Sequence, residues 1–373
     1  MMMLEWEGKA LLRHAGVAVP NGQVVQRGHQ VTPFDGPVAV KAQVRSGGRG
    51  KAGGVLRAVT PDAAGLAVDE LMALRFAGEA PESALIEGWQ AIARELYLSV
   101  VVDGAAAGYA LLYAPEGGVD IEAGQAPVRY NIGAANNFRA WRFRAVIEAV
   151  ETDVSVRERV VTLGERLVRL AAARDCTTIE INPLAVLQDG ALMALDAKVV
   201  RDDWAHFRQQ DIAALQEAEK RRQPPLVQDC MDMQHMYVPL GGDVALISGG
   251  AGMTMGVMDM IKDLGGAPAC FLDCSPGPAS TRGYRPAFAM LDADPTVKVI
   301  LVSVFGGGTH MDRVAGAMRD ILPTRTSTKP VVFRLDGTHV DQVDGILADV
   351  GARNHASLEA AVTEAVHLAQ EVA

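Results

Sequence analysis

The sequence predicts an α/β protein with two domains, the second of which is built on a parallel, doubly wound sheet. Its length of 373 residues exceeds the usual size of one domain. Strands joined by short turns dominate the N-terminal half, whereas from Asp243 onward strands alternate with glycine turns and helices. The charged, proline-bearing stretch Arg221–Pro225 separates the two patterns. We therefore predict an α+β domain over 1–222, a linker over 223–242 and an α/β domain over 243–373.

Composition and charge exclude several classes of function. A formal net charge of -10 argues against nucleic-acid and anionic-membrane partners, because neither would be attracted to this surface. No uncharged run approaches the length of a membrane span, and the charges from Glu5 to Arg13 are incompatible with a signal peptide. The four cysteines show neither disulfide nor zinc-ligand spacing. We expect a cytoplasmic protein with reduced, mostly buried thiols.

The first elements lead to a glycine-rich hairpin. Apolar spacing predicts a helix over Leu4–Ala15, ended by Gly16, and a strand near Gln23–Gln26. A second strand, Val38–Lys41, is followed after a glycine-rich stretch by a return strand, Val55–Val59.

The loop Gly47–Gly54 is typical of a phosphate-binding flap. Its five glycines in eight residues let backbone N–H groups approach an anion, and Arg49 and Lys51 add positive charge. The string Gly48-x-Gly50-x-x-Gly53 imitates a dinucleotide fingerprint, but a strand rather than a helix follows it. A Walker loop is excluded because alanine follows Lys51. The alternative is a flexible basic hairpin without a ligand.

Two strands flank a predicted nucleotide hinge. After a helix over Pro61–Phe76, the runs Ala84–Glu87 and Glu95–Asp103 predict strands joined by Gly88–Arg94. Such a linker could receive an adenine and its ribose hydroxyls through backbone groups and Glu87. The alternative is that both acids are solvated strand ends.

The middle of the chain continues with further regular elements. Gly108–Ala114 predicts a strand, and an acidic turn over Glu116–Glu122 follows it. Apolar periodicity then predicts helices over Phe138–Val150 and Val154–Arg174.

A polar hairpin forms the second candidate site. Ile179–Val186 and Leu192–Lys198 predict strands joined by a tight turn. Because alternate residues of a strand share a face, Glu180 and Asn182 point the same way, and the hairpin returns Asp196 beside them. These oxygen donors suit Mg²⁺ when substrate phosphates complete its octahedron. The alternative is a structural hairpin with polar edge residues.

Several motifs together carry a resemblance to a known family. They are Val-Lys-Ala-Gln-Val before the glycine-rich loop, that loop itself, Glu-Leu-Tyr at Glu95, Glu-Gly-Gly-Val at Glu116 and Glu-Ile-Asn-Pro-Leu at Glu180. In this order and spacing the chain resembles the ATP-grasp half of the β subunit of succinyl-CoA synthetases, the ADP-forming succinate–CoA ligases. The resemblance extends over nearly the whole chain and implies an ATP-grasp domain followed by a flavodoxin- or Rossmann-like CoA-ligase domain.

The resemblance also implies roles for individual residues. Nucleotide-binding positions would be Lys41, Gly48, Arg49, Gly50, Glu87, Gln90 and Glu95. Asn182 and Asp196 would hold Mg²⁺, and Glu180 would help to place a phosphorylated histidine of a partner near the nucleotide.

The C-terminal half repeats strands and helices. A helix over Trp204–Lys220 precedes the linker, and strands are predicted at Val244–Ser248, Ala269–Leu272, Val297–Val304 and Pro330–Leu335. The turn Gly250-x-Gly252, with Asp273 after the next strand, also imitates a dinucleotide site, so an NAD-linked oxidoreductase is an alternative.

The expected acid-binding positions depart from the family. A strand ends and a helix opens at Val304–Asp312, which predicts an anion site, and His310 there is either a phosphate acceptor or a surface histidine. The resemblance implies that the acid contacts Gly249, Gly307, Gly308 and Thr309. However, Gly249 replaces an asparagine of the family, Cys274–Pro278 replaces three glycines, and Gly307–Asp312 replaces Gly-Ile-Val-Arg-Cys-Asp.

The resemblance implies the β subunit of an ADP-forming acid–CoA ligase. In such enzymes ATP and Mg²⁺ phosphorylate a histidine on a separate α subunit, the phosphoryl group passes to a small carboxylic acid, and CoA displaces it as a thioester. The α subunit, joined in a heterodimer or heterotetramer, also provides most of the CoA site. Succinate is the default acid, and the altered turns favour a substituted or hydroxylated diacid nearly as much. A stand-alone ATP-grasp carboxylate–amine ligase is a further alternative.

Overall fold

The computed structural model describes residues 1–76, 78–105, 107–118, 126–275 and 279–371. The chain divides into two compact units, Met1–Gln216 and Glu217–Ala373. Part of the predicted acidic turn, from Val119 to Glu122, and part of the Cys274–Pro278 turn lie outside the described residues.

The first unit consists of two antiparallel sheets and the helices that cover them. Its elements are α1 (Glu5–His14), β1 (Gly22–Val25), β2 (Val38–Gln43), β3 (Val55–Ala58), α2 (Pro61–Ala73), β4 (Ser83–Gly88), β5 (Ile92–Asp103), β6 (Gly108–Ala114), β7 (Val128–Gly133), α3 (Ala140–Ile147), α4 (Val154–Ala173), β8 (Cys176–Leu187), β9 (Leu192–Ala194), β10 (Lys198–Arg201) and the start of α5 (Gln210–Arg222). Within the described residues, sheet A has the order β1-β4-β2-β3 and sheet B the order β10-β8-β5-β6-β7, with β9 also paired to β8.

Each sheet of this unit has its own apolar layer. Helix α2 packs its buried face, which includes Ala64, Val68 and Leu71, on sheet A. Helices α1, α3 and α4 cover sheet B, and α4 begins where the Asp153 carboxylate accepts the Val156 N–H at 3.1 Å.

The second unit contains a doubly wound sheet. Its elements are α6 (Pro225–Asp232), β11 (Met236–Pro239), β12 (Val244–Ser248), α7 (Ala251–Asp263), β13 (Cys270–Asp273), α8 (Thr281–Ala293), β14 (Val299–Gly306), α9 (Met311–Ile321), β15 (Val331–Gly337), α10 (Val343–Ala348) and α11 (Leu358–Glu371). Strands β13, β12, β14 and β15 are parallel, and β11 pairs antiparallel with β13 at the edge. Helices α6, α8, α9 and α10 pack on one face and α7 and α11 on the other. The predicted parallel sheet is therefore confirmed, and its carboxyl ends meet at one edge.

Several predicted elements differ from the structure. The predicted linker 223–242 folds into α6, which buries Cys230, and β11, whose residues pair with β13. The predicted strand Leu192–Lys198 is split into β9 and β10. Between them the Leu195 N–H still donates to the Pro183 carbonyl at 3.2 Å, whereas the Leu195 carbonyl accepts from the two lysines described below. The helix predicted over Trp204–Lys220 is present from Gln210 onward as α5, but its first residues differ, because Asp203–Phe207 form a 3₁₀ turn.

Strand β7 has no counterpart in the sequence prediction, and the helix predicted over Phe138–Val150 is shorter. In β7 only Tyr130 and Ile132 are buried, and polar residues alternate with them. Helix α3 occupies Ala140–Ile147, after Phe138 has ended a short 3₁₀ turn.

The buried cysteines have weakly reactive thiols. All four cysteines lie in the described residues, where each is buried and none forms a disulfide. Burial raises the pKa of Cys176 and of Cys230 to about 12, so these thiols are poor nucleophiles. No helix in the described ranges combines the length and the apolar character needed to cross a membrane.

A buried carboxylate ties sheet B to the start of α4. Glu151 is 1% exposed and accepts the hydroxyl of Tyr113 on β6 at 2.5 Å. Arg94 on β5 donates to both of its oxygens, at 3.2 and 2.9 Å. Burial raises the pKa of Glu151, but the hydrogen bonds from Arg94 and Tyr113 outweigh it and hold the pKa below its usual value.

Replacing this carboxylate should destabilise the protein. We expect Glu151→Gln to lower the free energy of unfolding at pH 7 by about 2 to 3 kcal/mol, because a charge-assisted hydrogen-bond network is lost. Because the folded pKa is depressed, this contribution is present above the unfolded pKa of about 4.3 and is lost as pH falls through the folded value. Urea denaturation at several pH values measures it. Glu148→Gln, an exposed glutamate nearby, is the control, and equal losses in both variants would contradict the assignment.

Candidate functional site

Two buried lysines in the first unit share the same acceptors. The Nζ atoms of Lys9 and Lys41 lie 2.7 and 3.0 Å from Glu5 Oε1, and 2.6 and 2.9 Å from Glu87 Oε2. Both also donate to the carbonyl oxygen of Leu195, at 2.8 and 2.5 Å. A charged group in a protein interior is costly unless it is paired in this way, so the cluster fixes these side chains firmly.

Sheet A and helix α1 bring these four side chains together. On β2 and β4, Lys41 faces Leu85 and Glu87 faces Ala39, so Lys41 and Glu87 lie diagonally on one face. On β1, Gly22 faces Glu87, and a Cβ there would lie 2.8 Å from Glu87 Cγ. The pair Glu5 and Lys9 are one turn apart on the buried side of α1.

Arg49 connects the glycine-rich loop to this cluster. Its guanidinium lies 2.7 Å from Glu5 Oε2 and 3.4 Å from Asp196 Oδ1, and it donates to the Ala42 carbonyl at 2.9 Å. The loop folds back on Arg49 at Gly54, where a Cβ would lie 2.3 Å from the arginine Cγ. Gly48 has a φ of +77°, a conformation that favours glycine. The predicted strand, glycine turn and return strand are present as β2, the loop and β3.

The charges in the cluster support one another. Burial raises the pKa of Glu5, but the charges of Lys41, Lys9 and Arg49 outweigh it, and the pKa lies well below its usual value. Burial lowers the pKa of Lys41, and the charges of Glu5 and Glu87 more than restore it, so Lys41 stays cationic. Protein around Asp196, together with the charge on Glu5, raises the pKa of that carboxyl although its side chain is 40% exposed.

Asn182 and Asp196 occupy corresponding positions of the hairpin, Asn182 on β8 and Asp196 between β9 and β10. Strand β8 pairs with β10 at Glu180 and Lys198, and the same register continues through β9. Asp196, between β9 and β10, is therefore the residue that this register places across from Asn182. Amide and carboxylate oxygens are ligands that suit Mg²⁺.

The oxygen donors of Asn182 and Asp196 fit a metal site that a ligand must complete, rather than one that the protein completes alone. The Asn182 Oδ1 accepts the Gly118 N–H at 2.6 Å, and its amide nitrogen donates to the Gly118 carbonyl at 3.1 Å. In the described parts of the chain, no group of three or more His, Cys, Asp or Glu side chains could hold a metal ion. A divalent ion at Asn182 and Asp196 would therefore need further oxygens, such as those of phosphates.

The hinge between β4 and β5 is short. It consists of Trp89–Ala91, because β5 starts at Ile92, earlier than predicted. Gln90 donates to the Gly88 carbonyl at 2.9 Å. The carboxylate of Glu87, in contrast, pairs with Lys9 and Lys41, at 2.6 and 2.9 Å.

Glu95 lies on the other side of the hinge and close to the hairpin. It is exposed on β5, and a Cβ at Gly118 would lie 2.7 Å from its Oε2. Since Gly118 is bonded to Asn182, this glycine brings Glu95 and Asn182 together. Glu180 lies on β8 opposite Ser99 of β5 and Lys198 of β10.

Glu5 and Lys9 were not predicted as site residues, because in the sequence they read only as charges of a short helix. A signal for them exists: with Gly8 and Leu12 they occupy one side of α1 at helical spacing, and all four are buried. An opposite-charge pair on the buried side of an amphipathic helix indicates a partner charge elsewhere in the fold.

In the second unit, the residues predicted to contact the carboxylic acid lie together at the C-terminal ends of β12 and β14. These strands are parallel neighbours and pair up to Ser248 and Ser303, so Gly249 follows one end and Gly307–Thr309 follow the other. Gly307 and Gly308 are exposed, and the helix α9 begins just after them. Free N–H groups at such an edge suit an anion.

Two further candidates in this unit have other partners. Asp273 is 3% exposed, and its Oδ1 accepts the N–H groups of Gly250 and Ser275, each at 2.8 Å. This carboxylate holds the turn after β12, which removes the ribose ligand that the dinucleotide alternative requires. His310 is half-buried, and its ring lies 4.7 Å from that of His339, in an edge-to-face pair.

Comparisons with known proteins agree with this architecture. The family model of the ATP-grasp domain matches residues 2–186 of this chain, and the family model of the CoA-ligase domain matches residues 247–368. The ADP-forming succinate–CoA ligase subunit beta of Desulforapulum autotrophicum is 34% identical over 368 residues, covering 94% of this chain and 95% of that protein. The GDP-forming subunit beta of Thermus thermophilus is 34% identical over 356 residues, covering 93% of each.

A solved structure shares the fold. The ATP citrate lyase from Methanothrix soehngenii, solved with citrate and coenzyme A, superposes with a TM-score of 0.72 at 18% identity and covers 99% of both chains. The predicted fold, an ATP-grasp domain followed by a CoA-ligase domain, is confirmed. The identity to the curated relatives over nearly their full length shows that this chain belongs to the family of succinate–CoA ligase β subunits.

Proposed function

We propose that this chain is the β-type subunit of an ADP-forming acid–CoA ligase that uses ATP, Mg²⁺, CoA and a small carboxylic acid. The observation that carries the proposal is the charged cluster in the first unit. There Arg49 lies 3.4 Å from Asp196, and the register of the hairpin counts Asp196 against Asn182, which supports one site for phosphate-binding cations and metal-binding oxygens.

The residues of this site would work mainly by electrostatics. Lys41 and Arg49, with the N–H groups of Gly48 and Gly50, would neutralise and orient the phosphates. Gln90 and Glu95, beside the hinge, would hold the adenosine. Asn182 and Asp196 would hold Mg²⁺, which when bound withdraws charge from the phosphate oxygens.

A second polypeptide is part of the proposal. Several relatives are named as subunit beta, which supports an α subunit that provides the phosphorylated histidine and most of the CoA site. Glu180, near the nucleotide hairpin, would position that histidine. The phosphoryl group would pass from ATP to the histidine and then to the acid, and the CoA thiol would displace phosphate to form the thioester.

The acid would bind at Gly249 and Gly307–Thr309. Gly249 has no side-chain amide to donate to a carboxylate, which leaves room for a substituent on the acid. We propose that a substituted or hydroxylated diacid is accepted alongside succinate.

The partner requirement can be tested directly. The chain is purified alone and with its co-purifying partner, and each is assayed with ATP, Mg²⁺, CoA and a panel of acids. Thioester formation should require both polypeptides. Thioester formed by the single chain would contradict the two-subunit assignment, and amide formed from an added amine would support a stand-alone ligase instead.

Asp196→Ala should lower turnover by about 100-fold or more, because the metal and phosphate charges lose a fixed ligand. Thioester formation by the two-subunit complex measures it, and circular dichroism verifies the fold. Asp189→Asn is the matched control: this residue lies in the turn of the same hairpin, where it accepts the Ala191 N–H at 2.9 Å. Equal effects of both changes, or unchanged turnover in Asp196→Ala, would refute the metal assignment.

Gly249→Asn should shift selectivity towards succinate by about tenfold in kcat/KM, because it restores an amide donor and fills the extra space. The position tolerates a side chain: a Cβ would lie 3.3 Å from Val304 Cγ1, which needs only a small shift. Rates with succinate and a hydroxylated diacid are compared. Gly249→Ala is the control, and the same shift from alanine would show that volume, not the amide, sets the preference.

A further inference from the structure

The carboxylate of Glu5 contacts three basic side chains of the first unit. Its Oε1 accepts from Lys9 and Lys41 at 2.7 and 3.0 Å, and its Oε2 lies 2.7 Å from Arg49. Glu87, by comparison, reaches the two lysines, and Asp196 reaches Arg49. Glu5 is therefore the carboxylate common to the glycine-rich loop, sheet A and α1.

The cluster is balanced in charge. Among the described residues, the cations of Lys9, Lys41 and Arg49 face the anions of Glu5, Glu87 and Asp196, which gives no net charge. A phosphate attracted to Lys41 and Arg49 meets the repulsion of Glu5 and Glu87 at short range. Binding of a polyanion then requires an exchange of partners rather than a simple approach.

Glu5 is also held firmly in place. At the next residue of the same helix, the Trp6 N–H donates to Gln43 Oε1 at 3.1 Å. The Glu5 side chain is only 3% exposed, whereas Arg49 comes from a loop whose neighbouring glycines are exposed. Because Arg49 belongs to a loop and Glu5 to a helix, we expect Arg49 rather than Glu5 to change position.

We propose that Glu5 is an internal counter-ion that sets the affinity for nucleotide. A bound phosphate takes the place of Glu5 beside Arg49, while Glu5 stays paired with Lys9. This inference rests on the proposed nucleotide site. Glu5 and Lys9 are thus positioning residues: their opposite charges tune how strongly Lys41 and Arg49 attract phosphate.

The test is a charge cycle on the two-subunit complex, with the dissociation constant for Mg·ATP measured by calorimetry. Glu5→Gln removes one rival anion and should lower Kd about fivefold. Lys9→Met removes one cation and should raise Kd about fivefold. The double variant restores the balance and should bind within about twofold of the wild type.

The controls separate this role from a structural one. Glu7→Gln makes the same change two residues away and should leave Kd unaltered. Damage to the fold would weaken binding, so tighter binding by Glu5→Gln is a result that a structural role does not produce. If Glu5→Gln does not fold, the Kd values of Lys9→Met and of the double variant still test the inference. The double variant should fold, since replacing both members of a buried pair is tolerated better than removing one.

An unchanged or higher Kd in folded Glu5→Gln overturns the inference, as does an unchanged Kd in Lys9→Met. Failure of the wild-type complex to bind Mg·ATP would overturn the proposed function, and this inference with it.

Discussion

The first unit depends on the ion pairs that the buried carboxylate of Glu5 makes with Lys9, Lys41 and Arg49. A charge in the interior costs several kcal/mol unless it is paired, so Glu5, Lys9 and Lys41 can be buried only together. Because they come from α1 and β2, and because Arg49 and the Leu195 carbonyl complete the set, this pairing joins the helix, sheet A, the glycine-rich loop and the hairpin. The contacts that stabilise the fold are thus the contacts that arrange the candidate site.

The two units offer different chemistry. The first presents cations and oxygen donors on antiparallel sheets, where neighbouring strands bring Lys41 and Glu87 together and Arg49 reaches Asp196. The second presents the carboxyl ends of β12 and β14, where glycines leave backbone N–H groups available. A ligase of the proposed kind needs both: one site that handles phosphate charge and one that holds a small acid.

Patterns in the sequence predicted most of this arrangement. The alternation of strands and helices after Asp243 was enough for the parallel sheet, and the glycine-rich loop and the hairpin were located by residue type and spacing. The missed parts depend on tertiary partners. Strand β7 is visible only through its pairing with β6, and the break at Asp196 exists because Leu195 turns its carbonyl to two lysines. The role of Glu5 could not be predicted for the same reason: Lys41 and Arg49 are distant in sequence, and Lys9 shares the buried side of α1.

The central claim is that the glycine-rich loop and the hairpin bind one nucleotide together. Hydrogen–deuterium exchange of the two-subunit complex, with and without Mg·ATP, tests it most directly. The account predicts that nucleotide slows exchange in both segments, Gly47–Gly54 and Leu192–Lys198, while an excess of the acid alone slows neither. Protection confined to one segment, or located in the second unit instead, would contradict it.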